Sequence, residues 1–170
     1  MLINLDDFSR MLKIERNYSD NTISAYLSDL KSFNVFLERN KIRFKDVVRD
    51  SNHTKAFFRH LSRKKLSPRS IKRKFSSLSS YFIFLLDRKI IKNNPLNGVF
   101  TPKIPKVLPE ILTLDEIKKV FLQSENTDNE LLGLRDRCVL EMLYSCGLRA
   151  REICSLKINN IQFDLDLIRF

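Results

Sequence analysis

The stretch Tyr144-Ser-Cys-Gly-Leu-Arg-Ala-Arg-Glu-Ile-Cys-Ser-Leu156 places a helix stop, an arginine and a helix start in quick succession. Gly147 follows a long apolar run, Leu131 to Cys146. A glycine just past a helix end commonly takes the left-handed conformation that other residues avoid. Glu152, Ile153 and Leu156 then resume a helical rhythm, so Arg149 falls at or near the start of the second helix. Unpaired backbone N–H groups and the helix dipole favour an anion there. The chemistry on offer is the binding of a phosphate by the Arg149 guanidinium.

A second constellation lies between residues 67 and 85. Ser67 followed by Pro68 reads as a helix N-cap and first helical position. Ile71, Phe75, Leu78, Phe82 and Leu85 form an apolar stripe, and the opposite face collects Arg69, Lys72, Arg73, Ser76, Ser77 and Ser80. Basic side chains followed by small hydroxyls suit a surface that a phosphate backbone approaches closely. A merely solvated helix face would mix glutamate and glutamine among the lysines. Between Asp50 and Asp87 there is no acid at all, against nine lysines and arginines.

Charge over the whole chain follows the same division. Net charge is +11, and residues 1–100 hold 21 of the 31 basic and 9 of the 20 acidic residues, a balance of +12. Residues 101–170 balance at −1. A single-sign field points to a polyanion, and nucleic acid is favoured over anionic lipid because no helix rich in exposed apolar residues accompanies it. A hydrophobic content of 43% with 30% charged residues indicates a globular fold. No apolar run approaches membrane-spanning length and the first residues carry acid, so no membrane partner and a cytoplasmic location are expected.

The elements that must position these groups are mainly helical. Leu5, Phe8 and Leu12 mark a short first helix, and Ser19-Asp-Asn-Thr22 offers N-caps for a second carrying Ile23, Tyr26, Leu27, Leu30, Phe33 and Leu37. A third, from about 51 to 65, buries Phe57, Phe58 and Leu61, and the helix from Ser67 is the fourth. His53 and His60 lack companions at metal-ligand spacing. Four of the five prolines fall between Asn94 and Pro109, as expected of an interdomain linker, and its Lys103 and Lys106 are placed to follow a phosphate backbone.

Thr113-Leu-Asp-Glu116 is a capping box opening another helix. The helix from about Glu130 is apolar nearly all round over Cys138–Tyr144 and is expected in the core of a second domain, together with Tyr144. Cys138, Cys146 and Cys154 form no CxxC pair and are expected as buried free thiols. Leu167 to Phe170 is strand-like, with no evident partner strand.

These pieces resemble a known family, the tyrosine site-specific recombinases of the Xer type. Tyr18-Ser19, Thr22, Tyr26, Leu30 and Phe33 are similar to its second core-binding helix, and Leu66 to Leu78 with Tyr81-Phe82 to its fourth. Asn94-Pro95, Pro102-Lys103 and Leu108-Pro109 resemble its linker. Leu134-Arg-Asp136, Leu143 to Arg149, Glu152 and Leu156 resemble the start of its catalytic domain, and this last segment is the most specific.

The resemblance implies a SAM-like helical bundle of about four helices at 1–100, which closes over one side of duplex DNA. A linker at 101–110 and the beginning of an α/β catalytic domain at 111–170 follow. It adds Thr22 and Tyr26 to the DNA-facing residues and makes Arg149 a catalytic arginine. In such enzymes a tyrosine attacks the scissile phosphodiester to leave a 3′-phosphotyrosyl link, as in chromosome-dimer resolution or DNA integration. No metal or nucleotide cofactor takes part, and the protomers assemble on DNA as homo- or hetero-tetramers.

An arginine suits this reaction because its planar, always-charged fork meets two phosphate oxygens at once. Glu152, one helical turn on, is placed to support it. Arg151 stands where the family usually has a small or hydroxyl residue, and both a DNA contact and a solvated side chain are compatible with it. The family's catalytic lysine, its His-x-x-Arg segment and its nucleophilic tyrosine are not among these residues, so the 170 residues alone are expected to be catalytically incomplete. Two other classes stay open on the residues alone: a helical DNA-binding regulator without catalysis, and a helical interaction domain with a fortuitous basic face.

Overall fold

The computed structural model describes residues 2–104, 108 and 110–169, and of Glu125 the backbone only. The chain folds as two compact units, Met1–Lys106 and Val107–Phe170. Among the described residues no helix is long and apolar enough to cross a membrane.

The first unit holds five helices: α1 Leu5–Ile14, α2 Asp20–Arg39, α3 Phe44–Arg49, α4 Asn52–Arg63 and α5 Pro68–Asp87. The two long helices begin as their sequences predict. Ser19 and Ser67 adopt extended backbone, and each side-chain oxygen accepts a hydrogen bond from the amide three residues on, Thr22 at 3.3 Å and Ser70 at 3.2 Å. The six-residue α3 was not foreseen; it is too short to show a period, and Val47 is its one fully buried anchor. Glycine is absent before Gly98, so the turns after α2, α4 and α5 put Lys41, Lys65 and Lys89 in the left-handed region instead. Each costs about 1 kcal/mol relative to glycine, offset in part by a positive charge near a helix C-terminus.

Aromatic rings from four helices fill the core. Phe33 of α2 meets Phe57 of α4 at 4.9 Å and Phe82 of α5 at 6.4 Å between ring centroids. Phe8 of α1 stands edge-on to Tyr81 at 5.4 Å. Phe8, Phe33, Tyr81 and Phe82 are all fully buried.

Tyr81 also fastens the N-terminal segment. Its hydroxyl donates to the Ile3 carbonyl at 2.7 Å and accepts from the Ile3 amide at 3.1 Å, while Leu2 is buried beside it. Burial pushes the Tyr81 hydroxyl up to about 12, with the bond to the Ile3 backbone working the other way. Because the folded value lies above the ordinary 10.0, the stability linked to this group is intact below pH 10 and is lost as pH rises towards 12. Tyr81→Phe is therefore expected to cost about 1 kcal/mol at neutral pH and to remove this part of the alkaline loss. Urea midpoints of both proteins on either side of pH 10 measure it.

The proline-rich stretch is not wholly a linker. Pro95 and Leu96 are buried in the first unit, and the buried Thr54 hydroxyl lies in hydrogen-bond reach of the Pro95 carbonyl. The Asn94 side chain accepts from the Leu96 amide at 2.9 Å, closing the turn.

The second unit contains α6 Leu114–Glu125, α7 Glu130–Cys146 and α8 Ala150–Ser155, then a short antiparallel hairpin, β1 Ile161–Gln162 with β2 Leu167–Ile168. The capping box forms, with the Thr113 hydroxyl accepting from the Glu116 amide at 3.3 Å and the Glu116 carboxylate from the Thr113 amide at 2.8 Å. The unit departs from its sequence pattern in three respects. The terminal strand has a partner, since Ile161 pairs with Ile168 and Gln162 with Leu167. The α7 helix is not buried: among its described residues only Gly133 is, and Tyr144, edge-on to Phe121 at 6.2 Å, stays 56% exposed. Within the unit α6 and α8 are packed on α7, and two short helices cannot cover a helix on all sides. For the same reason Cys138, Cys146 and Cys154 are exposed thiols rather than buried ones.

Candidate nucleic-acid interface

The α5 helix presents its basic residues as a graded series. Arg69, Lys72 and Ser76 are exposed, Ser80 is half-buried, and the Arg73 side chain is 47% exposed. Ser77 departs from the expected face and is fully buried. It lies about 80° round the helix from Arg69, on the flank where α2 packs, and its hydroxyl donates to Asp29 at 2.9 Å. Ser77 is thus removed from the surface available to a ligand.

Asp29 is the feature that the sequence reading missed. Its carboxylate is fully buried and takes Lys74 Nζ at 2.8 Å and Arg73 Nη1 at 2.8 Å as well as Ser77. The signal was present: Asp29 sits three residues after Tyr26 and four before Phe33, on the inward stripe of α2 where a lone acid needs a partner.

The crossing of α2 and α5 gathers the other candidates. Arg73 Nη1 lies 3.4 Å from the Ala25 carbonyl, next to Tyr26. Tyr26, Ser76 and Ser80 line one recess, with Tyr18 stacked edge-on against Tyr26 at 5.9 Å. Burial first, then the neighbouring Tyr18, holds the Tyr26 hydroxyl above its ordinary value. The half-buried Thr22 is occupied at the N-terminus of α2, where its hydroxyl meets that of Ser19 at 2.9 Å. Lys103 is exposed, on a segment whose Phe100 and Pro102 lie beside Arg59 and Arg63 of α4. Lys106 lies outside the described residues.

In the second unit, Gly147 takes φ 64°, the left-handed region that its position requires, although a side chain there would meet nothing within 4 Å. Arg149 follows as the extended N-cap of α8. Glu152 holds it twice: one carboxylate oxygen accepts from the Arg149 amide at 2.7 Å, and the other from its Nη1 at 2.9 Å. The backbone bond first, then the guanidinium, keeps the Glu152 carboxyl below the usual carboxylate range. The pairing accordingly persists as pH falls past the ordinary glutamate value and is lost only below it. The Arg149 side chain is 85% exposed, so its plane is oriented while its remaining N–H donors face outward. That arrangement suits a tetrahedral oxyanion such as a phosphodiester. Arg151 is exposed.

Comparison with known proteins places both units in one family. Residues 5–89 match the phage integrase N-terminal SAM-like domain, and residues 110–170 match the phage integrase family. A tyrosine recombinase XerC of Anoxybacillus flavithermus is 37% identical over 161 residues, covering 95% of this chain and 53% of that protein. A tyrosine recombinase XerC of Bacillus subtilis is 35% identical over 162 residues, covering 95% and 52%. A tyrosine recombinase XerD of Listeria innocua is 33% identical over 165 residues, covering 97% and 55%. The chain spans about half the length of the curated relatives it matches.

Proposed function

Because the chain belongs to the phage integrase family, we propose that it is the DNA-binding part of a site-specific tyrosine recombinase together with the start of its catalytic domain. In this reading residues 1–100 bind duplex DNA, 101–110 link, and 111–170 contribute the first catalytic arginine. The observation that carries it is the coincidence of the family match with a helix face bearing Arg69, Lys72 and Arg73 and no acid between Asp50 and Asp87. The match over 110–170, which contains the Arg149 corner, favours a recombinase over a DNA-binding regulator.

Arg149 acts on the scissile phosphate. As the tyrosine oxygen attacks phosphorus and the 5′-hydroxyl leaves, negative charge builds on the non-bridging oxygens, and the oriented guanidinium stabilises that charge more than it stabilises the ground state. Glu152 keeps the guanidinium from rotating away. The protein works in the cytoplasm, on DNA, with further recombinase protomers.

The 170 residues alone bind without cutting. Tyr81 is buried and bonded to Ile3, Tyr18 and Tyr26 meet edge to face, and Tyr144 packs on Phe121 five residues before the arginine. In this reading none of the four is the nucleophile. A gel-shift assay on a nicked duplex tests both statements. The expected result is a retarded band on a native gel and free DNA once detergent is added. No retardation at low salt overturns the DNA-binding reading, and a detergent-resistant adduct overturns the claim that no tyrosine here attacks.

A further inference from the structure

A fully buried carboxylate is an unusual occupant of a helix crossing, because an apolar side chain of similar size serves packing at least as well. Asp29 nevertheless stands where α2 meets α5, and within two turns of α5 it collects Arg73, Lys74 and Ser77. The two cations it holds are disposed differently. The Lys74 side chain is only 12% exposed and its ammonium is spent on the carboxylate. Arg73 is 47% exposed and is held through Nη1 alone, by Asp29 at 2.8 Å and the Ala25 carbonyl at 3.4 Å. Among the described residues, its Nε and Nη2 make no hydrogen bond.

A guanidinium is rigid and planar, so holding one nitrogen against a buried anchor narrows the directions open to the others. Arg69, four residues before, and Lys72 lie exposed on the same side of the helix as the half-exposed Arg73. A free arginine would lose rotamer entropy on meeting a phosphate, and one held in advance has already lost it.

We propose that Asp29 is a positioning residue for DNA binding: by anchoring Arg73, this acid raises the affinity of a basic surface for an anion. The inference rests on the reading of α5 as DNA-facing. Its consequence runs against simple electrostatics. If Asp29 acted only as a charge, Asp29→Asn would remove a repulsive anion, tighten duplex binding and steepen its salt dependence. As the anchor of Arg73, the same substitution weakens binding even though the protein gains one positive charge.

The test is a fluorescence titration of a labelled duplex with the full chain and its variants, each checked for folding by thermal melting. Asp29→Asn and Arg73→Lys are each expected to lose about tenfold in affinity. In the Arg73→Ala background, Asn at position 29 should cause no further loss, which separates positioning from a general structural effect. Arg73→Lys keeps the charge on a half-exposed side chain and loses only the planar fork, so it decides the matter if Asp29→Asn fails to fold. Affinity unchanged in Arg73→Lys, or unchanged or tighter in a folded Asp29→Asn protein, overturns the inference. If the wild type binds and Arg69→Ala and Lys72→Ala weaken it while the position 29 and 73 variants do not, this inference alone falls. If the wild type shows no duplex binding, the reading of α5 falls first.

Discussion

Phe33→Ala is expected to lower the stability of the first unit by about 3–5 kcal/mol. Phe33 is fully buried at the point where α2, α4 and α5 meet, with the rings of Phe57 and Phe82 on either side. Those rings belong to separate helices anchored by other contacts, so neither can move in to fill the gap without disturbing its own helix. A loss of this size is a large share of the roughly 5–15 kcal/mol that a domain has in total. It should lower the melting temperature by more than about 12 °C for a unit of this size. The functional consequence follows from the architecture. The basic face belongs to α5, its anchor to α2, and the core that Phe33 centres holds the two together. Circular dichroism melts of wild type and variant measure the effect, and a shift of only a few degrees would mean that Phe33 is not the keystone of the packing.

The second large effect is on binding. Arg69→Ala and Lys72→Ala together are expected to weaken duplex affinity about a hundredfold, roughly tenfold for each lost phosphate contact, and to reduce the salt slope by about 2. Both side chains are exposed and make no ion pair among the described residues, so the melting temperature should hardly change. These two are chosen over Arg73 because its removal also leaves Asp29 with one partner fewer. Arg69 has a further advantage as the second residue of α5, where the helix dipole reinforces its attraction for an anion.

Features written in local chemistry were readable from sequence. The serine caps of α2 and α5, the Thr113–Glu116 box and the left-handed Gly147 depend on a few adjacent residues, and each formed as its residue types dictate. The pairing of Arg149 with Glu152 needed only the three-residue helical offset.

What the sequence concealed depends on contacts distant along the chain. Asp29 and Ser77 are polar by type, and only the close crossing of α2 over α5 shows that they satisfy each other away from water. Pro95 and Leu96 read as linker because proline punctuates chains, yet Thr54 on another helix gives the Pro95 carbonyl a partner and lets the segment pack. The apolar character of α7 is plain in its sequence, but burial depends on what surrounds a helix, which no window on α7 contains. The hairpin strands are two residues each, too short for alternation to show.

Binding of duplex DNA through its phosphates, mainly by residues 1–100, is tested most directly by a salt titration. The affinity of the full chain for a short labelled duplex is followed over a range of salt concentrations. Four cations at the surface, Arg69, Lys72, Arg73 and Lys103, predict a logarithmic slope of about −3 to −4, which corresponds to roughly a hundredfold loss over a fourfold rise in salt. A slope near zero, or no duplex binding at the lowest salt, would contradict it.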